Sequence, residues 1–280
     1  MTDENTTPAD LSINQKTLNS SSLSEVVDEC ATAGIPAVGL WRESVHEVGV
    51  GEAARLVKSA GLRVSSLCRG GFFTADSPER RRESLAENRR ALEEAAELEA
   101  PCLVLVVGGL PTGSKDLVAA RRGVAEVLAE LAPLAEHYGV RLALEPLHPM
   151  YCADRAVLST LDQALELAEP FPVEQVGVVV DTFHVWWDPR LFEQIERAGS
   201  RIASFQVCDW LTPLPADVLL GRGMMGDGHI DFAPIDTAVR QTGYSGDVEV
   251  EIFNADVWSR PAREVVETTV DRYRRLVRPR

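Results

Sequence analysis

Eight times along this chain a short apolar run gives way to an amphipathic segment, and that alternation leaves few folds open. The sixth run is the most constraining. Val178-Val179-Val180, set between Gly177 and Asp181, offers no polar face to water, so it reads as a strand covered on both sides. The other runs fall at residues 11–14, 37–40, 62–68, 102–107, 140–144, 202–207 and 247–252. Helical patterns follow them at residues 22–33, 45–60, 77–99, 114–138, 155–168, 189–198, 233–242 and 261–276. Ser77-Pro78 supplies a capping serine with proline at the first helical position, and Gly34, Gly61 and Gly139 close their helices. Strand–helix–strand connections of this kind are right-handed and build parallel sheet. Eight equal units with no phosphate-binding G-x-G-x-x-G predict a single closed (β/α)8 TIM barrel over residues 11–280, in preference to an open doubly wound sheet.

Composition narrows the function. The 280 residues are 45% hydrophobic, enough for one large core. A net charge of −15 excludes a nucleic-acid surface, which needs clustered Lys and Arg, and disfavours anionic membranes. No segment reaches the roughly 18 apolar residues of a membrane span. The five cysteines, Cys30, Cys68, Cys102, Cys152 and Cys208, are odd in number and contain no C-x-x-C pair. They read as small core residues of a reducing compartment. Residues 1–10, MTDENTTPAD, are acidic and polar, the opposite of a signal peptide. A disordered tail and a cytoplasmic protein are expected.

The chemistry sits where the later strands end. Glu145 follows Leu142-Ala143-Leu144, Asp181 follows three valines, Gln206 follows Ser204-Phe205, and Glu251 follows Val-Glu-Val. In a closed parallel barrel these four converge at the carboxyl ends of neighbouring strands. Three carboxylates with no cation between them repel, and one is forced to take a proton. A divalent cation resolves the conflict. Three carboxylates and an amide oxygen are an all-oxygen set that suits one Mn ion, or Mg or Co in its place.

Two histidines share an offset from these acids: His148 lies three residues after Glu145, and His184 three after Asp181. Imidazole is the usual acid–base group near neutral pH. His46 and His229 are weaker candidates, and His137 reads as a favourable charge late in a helix. Arg222 lies in the glycine-rich stretch 221–228, expected to be flexible enough to close over a hydroxyl-rich or anionic substrate, and Arg69 stands similarly after the third strand. Trp41, Phe72, Trp186, Trp187, Trp210, Phe253 and Trp258 all lie at or after strand ends. They are expected to form an apolar wall for a ligand ring, or a contact between subunits of an oligomer.

These motifs resemble the xylose-isomerase-like barrel family of sugar isomerases, epimerases and endonuclease IV relatives: LEP at the fifth strand, D-T-x-H at the sixth, G-x-G-D-G-x-I-D-F after the seventh and E-x-E at the eighth. The resemblance implies that Glu145, Asp181, Gln206 and Glu251 hold one divalent metal, with His184 and Arg222 on the substrate. Gln206 departs from the histidine that many keto-sugar epimerases carry there. A narrower resemblance rests on Leu144-Glu-Pro-Leu-His148-Pro-Met-Tyr151, Ala153-Asp-Arg155 and Asp181-Thr-Phe-His184-Val-Trp-Trp-Asp188. It is to the α-subunit of bacterial C-glycoside deglycosidases, which work with a small β-subunit. It implies a lyase that breaks the carbon–carbon bond of 3-oxo-C-glycosides, with His148 removing the proton beside the ketone. The alternative is a keto-sugar isomerase or 3-epimerase, with Glu145 and Glu251 as its acid–base pair. Both expectations take a sugar or glycoside as substrate.

Overall fold

The computed structural model describes residues 7–279, and the barrel closes as the alternation requires. The elements are β1 (Leu11–Asn14), α1 (Leu23–Thr32), β2 (Ala37–Trp41), α2 (Arg42–Val48), α3 (Val50–Ser59), β3 (Arg63–Gly71) and α4 (Pro78–Glu97). Next come β4 (Cys102–Val106), α5 (Leu117–Tyr138), β5 (Arg141–Leu144), α6 (Leu161–Ala168), β6 (Val176–Asp181), α7 (Thr182–Val185), α8 (Leu191–Ala198) and β7 (Ile202–Val207). The chain then forms β8 (Asp209–Trp210), β9 (Arg222–Gly223), α9 (Phe232–Gln241), β10 (Val248–Val250), α10 (Ala255–Trp258) and α11 (Ala262–Arg272). The closed order is β1-β10-β7-β6-β5-β4-β3-β2, and every pairing in it is parallel. Every residue of β6 is buried, because helices cover one face and the barrel interior fills the other.

Local sequence accounts for the element ends. Ser22 and Glu25 form a reciprocal capping box at the start of α1. Ser77 accepts from the Arg80 amide ahead of α4, and Gly139 ends α5 in the left-handed region at φ 66°. Three expectations need correction. The helix over 45–60 is two helices, since Gly49 sits at φ 90°, outside any helix. The third strand runs on to Gly71, because Asn88 of α4 accepts from the Gly71 amide at 2.6 Å and donates to its carbonyl at 2.8 Å. The helix over 155–168 begins only at Leu161; before it the Val157 amide donates to Gly108. The expected tail falls partly outside the described residues. Within them, Thr7 donates to the Ala33 carbonyl and Asp10 pairs with Arg240 and Arg278, so this stretch is fastened to the barrel.

Cys30, Cys68, Cys102 and Cys208 are free and buried, as small core residues. Among the described residues no helix is long and apolar enough to cross a membrane.

Two apolar clusters divide the interior. The larger lies between strands and helices; the smaller, Cys68, Cys102, Val104, Ala143 and Val179, fills the barrel itself. Beside the latter stands a buried carboxylate. Glu249 on β10 accepts from Asn14 at 2.7 Å, Ser65 at 2.6 Å, Ser66 at 2.8 Å and Gln206 at 3.1 Å. All its partners are neutral donors, so the charge is met by hydrogen bonds alone. Room for it comes from Gly39 of β2, where a Cβ would stand 2.5 Å from the carboxyl carbon. Gly39→Ala is therefore expected to destabilise the fold by about 2 kcal/mol or more, through overpacking and a displaced buried charge. The check is the urea unfolding midpoint, and an unchanged midpoint would show that Glu249 is not held where it is seen.

Candidate active site

The site is assembled from the residues just beyond β5, β6 and β10 and from β9. Glu145 leaves β5 with its amide bonded to Leu105 of β4, and Glu251 leaves β10 with its amide bonded to Val207 of β7. Asp181, the last residue of β6, accepts from the Phe183 amide at 2.9 Å, so the strand end caps its own turn into α7. That turn places His184 above Asp181. Glu145, Asp181 and His184 each bring a ligand atom within 4.8 Å of the others, and all three are buried.

Arg222 reaches into the middle of this group. Its Nη1 donates to Asp181 Oδ2 at 2.8 Å and lies 3.3 Å from Glu251 Oε2, while the Phe183 and Phe253 rings stand 4.9 and 5.4 Å from the guanidinium. The side chain is only 3% exposed. The stretch 221–228 is thus no lid. Asp209 on β8 fastens it, with Oδ1 accepting from the Trp210 and Ile230 amides and Oδ2 from those of Gly226 and Gly228. Antiparallel pairing of β8 with β9 and a bond from Asn254 to the Arg222 carbonyl complete the fastening.

The charges do not balance. One guanidinium faces three buried carboxylates, so negative charge is in surplus. Burial first, then the charges of Asp181 and Glu251, push the Glu145 carboxyl well above its ordinary range. Burial also raises Asp181, with Arg222 opposing it. Glu251 is raised from 4.5 to about 7, again mainly by burial and against the pull of Arg222.

His184 is caught between two donors. Its Nδ1 faces the His148 amide at 3.1 Å and its Nε2 faces Arg222 Nη2 at 3.0 Å. Burial and the charge of Arg222 hold its pKa well below the ordinary value, so the ring is neutral and has one lone pair for two donors. An acceptor atom entering beside Nε2 relieves that conflict.

Gln206 is fully buried between Asp181 and Glu249 in the strand register. Its amide nitrogen donates to Glu249, an acceptor-only carboxylate, which leaves its oxygen without a partner. Surplus negative charge beside an orphaned amide oxygen fits a cation. Glu249 was not singled out in the sequence, although it lies two residues before Glu251 and so faces the same side of the strand. Through Asn14 it also orients Trp41, whose indole donates to Asn14 at 3.0 Å and to Glu251 at 3.3 Å.

Above the carboxylates lies a cavity of about 230 Å³, lined by Trp41, Arg69, Glu145, His184, Arg222 and Glu251 among others. Phe72 and Phe253 join that lining. His148 does not. Its Nδ1 accepts from the Met150 amide and its ring packs against Trp187 and Trp210, so the Pro149–Tyr151 turn and two tryptophans engage the imidazole. Trp186 also packs on Trp210, and Trp258 donates to the Lys16 and Ile252 carbonyls; these tryptophans secure loops and do not wall the cavity. His46 pairs with Glu94 and His229 bonds Thr212.

A closed parallel barrel with acids, an imidazole and an arginine gathered at its strand ends has the layout of a barrel enzyme. The chain belongs to the xylose isomerase-like TIM barrel family, whose profile matches residues 27–276. It is similar to protein SMc04130 from Sinorhizobium meliloti 1021, with 51% identity, a TM-score of 0.92, and coverage of 95% of this chain and 98% of that one. It is similar to the inosose isomerase of Halalkalibacterium halodurans, 28% identical over 71% of this chain and 70% of that protein. It is also similar to the 3-dehydroshikimate dehydratase of Pseudomonas aeruginosa, 27% identical over 87% of this chain and 38% of that longer protein.

The charge imbalance has a measurable sign. A carboxyl raised above its ordinary value favours the folded state when protonated, so the Glu251 contribution falls as pH rises from 4.5 to about 7. A cation must displace that proton below about 7. Mn, Mg, Co or Zn added to metal-stripped protein is therefore expected to raise the Tm more at about pH 8 than at about pH 6. Absence of any rise with all four ions would remove the case for a cation.

Proposed function

We propose that this protein is a divalent-metal-dependent isomerase of small cyclic or open-chain keto-polyols, acting by proton transfer beside the ketone. The observation that carries the reading is the grouping of Glu145 with Asp181 and Glu251, the latter two paired to one buried arginine, beneath a cavity of about 230 Å³. Similarity to an inosose isomerase supports the choice of reaction. Cavities that bury drug-sized ligands run to roughly 300–1,000 Å³, so this one suits a single polyol ring more than a glycoside with an aromatic aglycone.

Glu145, Asp181, Glu251 and the Gln206 oxygen would hold the metal, with His184 near enough to add a nitrogen. The oxygen-rich set suits Mn, Mg or Co, and an imidazole in it would admit zinc. When bound, such an ion supplies charge that favours an enediolate over the ketone. The chain's own groups do the rest. Arg222 and the Nε2 side of His184 orient the substrate oxygens. One of Glu145 and Glu251, ionised, takes the proton from the carbon beside the carbonyl, and the other, protonated, gives its proton to the carbonyl oxygen. The neighbouring hydroxyl of the enediol then loses its proton as the former carbonyl carbon is protonated, which moves the ketone one carbon along. Delivery of a proton to the opposite face of the same carbon by the other carboxyl, with loss of the enol proton to re-form the original ketone, gives epimerisation instead.

The carbon–carbon elimination expected from the narrower resemblance is set aside. It needs His148 as base, and that ring faces Trp187 and Trp210. The small β-subunit belongs to that reading and has no part in this one.

The test is proton exchange in D2O, followed by NMR, with 2-keto-inositol, L-ribulose and a 3-oxo-C-glycoside as substrates. Expected are deuterium uptake beside the ketone and ketone migration in a polyol, with no aglycone release. Glu145→Gln should slow exchange by about 10²–10⁴-fold. Aglycone release without exchange in either free polyol would replace isomerisation with elimination.

A further inference from the structure

The cavity is lined by charge of both signs. Glu145 and Glu251 lie buried at its floor, while Lys16, Arg69 and Arg155 line it from less buried positions and Tyr151 from a buried one. With 43 acidic residues against 28 basic ones, an arginine in this chain readily finds a carboxylate; Arg55, Arg81, Arg82 and Arg90 all do. Arg69 does not. It is half-buried, stacks on the Phe72 ring at 4.3 Å and makes no ion pair or hydrogen bond with any described residue. Arg155 stands over the Tyr151 ring at 5.7 Å, and its sole ion pair among the described residues is a loose 3.8 Å contact with the neighbouring, exposed Asp154. Burial lowers the pKa of Arg69, the nearby Glu43 carboxylate opposes it, and the charge of Arg155 adds a smaller push in the same direction as burial. Tyr151 is 3% exposed and its hydroxyl has no partner.

Two like charges held at one mouth beside an unused hydroxyl donor define a site for an anion, by the same reasoning that three carboxylates define a site for a cation. We infer that the substrate is a keto-polyol bearing an oxyanion, either a carboxylate or a phosphoryl group, on the end opposite its ketone, and that Arg69 and Arg155 receive that group while Tyr151 donates to an adjacent oxygen. This rests on the ketone-isomerase reading, since it places the reacting end at the carboxylate floor. The charge gradient then sets the direction of entry: an anion is repelled by Glu145 and Glu251 and held by the arginines, so the ring arrives ketone first.

The test measures binding apart from turnover. Titration calorimetry on the metal-loaded protein compares quinate, a cyclohexane polyol carboxylate, and myo-inositol 1-phosphate with neutral myo-inositol. Expected is at least about ten-fold tighter binding of one anionic ligand, weakening as salt is raised. Which of the two binds tighter distinguishes carboxylate from phosphoryl. The preference should fall to near unity in Arg69→Gln and in Arg155→Gln, and persist in Arg82→Gln, a charge-matched control on the exposed face of α4. Equal affinity for charged and neutral ligands, or a preference that survives both mouth variants, overturns the inference. Either variant alone suffices should the other fail to fold. An arginine-dependent preference without deuterium exchange in any keto-polyol would sustain the anion site and sink the isomerase. Exchange without the preference would do the reverse.

Discussion

Everything at the open end of this barrel depends on a single buried ion pair, Arg222 with Asp181. Breaking a pair of this kind by removing one partner typically costs about 3–5 kcal/mol, because the other charge is left stranded. Here the arginine does more than offset Asp181. It touches Glu251, faces His184 on one side and stands beside two phenylalanine rings, so β6, α7 and the segment after β10 converge on one guanidinium. It meets only part of the local negative charge, and that shortfall gives the site its chemistry. Burial alone raises these carboxyls, and the surplus of acids over bases is what leaves the floor room for a cation. Burial, with three acids to one base, raises Glu145 well above its ordinary range and Glu251 to about 7.

A second tier supports the first. Glu249 lies one pleat below Glu251 and binds only neutral donors, yet it decides which way two amides point. Gln206 must present its nitrogen downward and its oxygen elsewhere; Asn14 must present its nitrogen to Glu249 and its oxygen to Trp41. The orientation of a cavity wall and of a candidate ligand therefore descends from one carboxylate that itself reaches no substrate.

The barrel was legible because its signal is local and repeated. Val178–Val180 exposes no polar face, and each carboxylate placed just after such a run announced a buried charge in need of a partner. Those inferences use residues adjacent in the chain. What escaped depends on residues distant from one another. Gly49 divides a helical pattern that hydrophobic spacing alone shows as continuous. Nothing around 221–228 reveals that Asp209 holds it through amides 17 to 21 residues away, so glycines that suggested mobility turned out to be those whose amides approach a carboxylate closely. His148 looked equivalent to His184 by offset. The Pro149 turn packs one imidazole among tryptophans, while α7 keeps the other over the acids. The mouth arginines were visible as residues but not as neighbours, since Arg69 and Arg155 meet only when β3 and the segment after β5 are brought to the same rim.

The three amide bonds from Gly226, Gly228 and Ile230 to Asp209 carry one more implication. In many barrel enzymes an active-site arginine rides on a segment that must be immobilised each time ligand enters, and the conformational entropy lost, about 1–2 kcal/mol for each residue fixed, is subtracted from affinity on every encounter. Here that ordering is completed once, when the chain folds. The arm bearing Arg222 reaches the substrate already rigid, so each hydrogen bond it makes to a ligand contributes in full to holding that ligand.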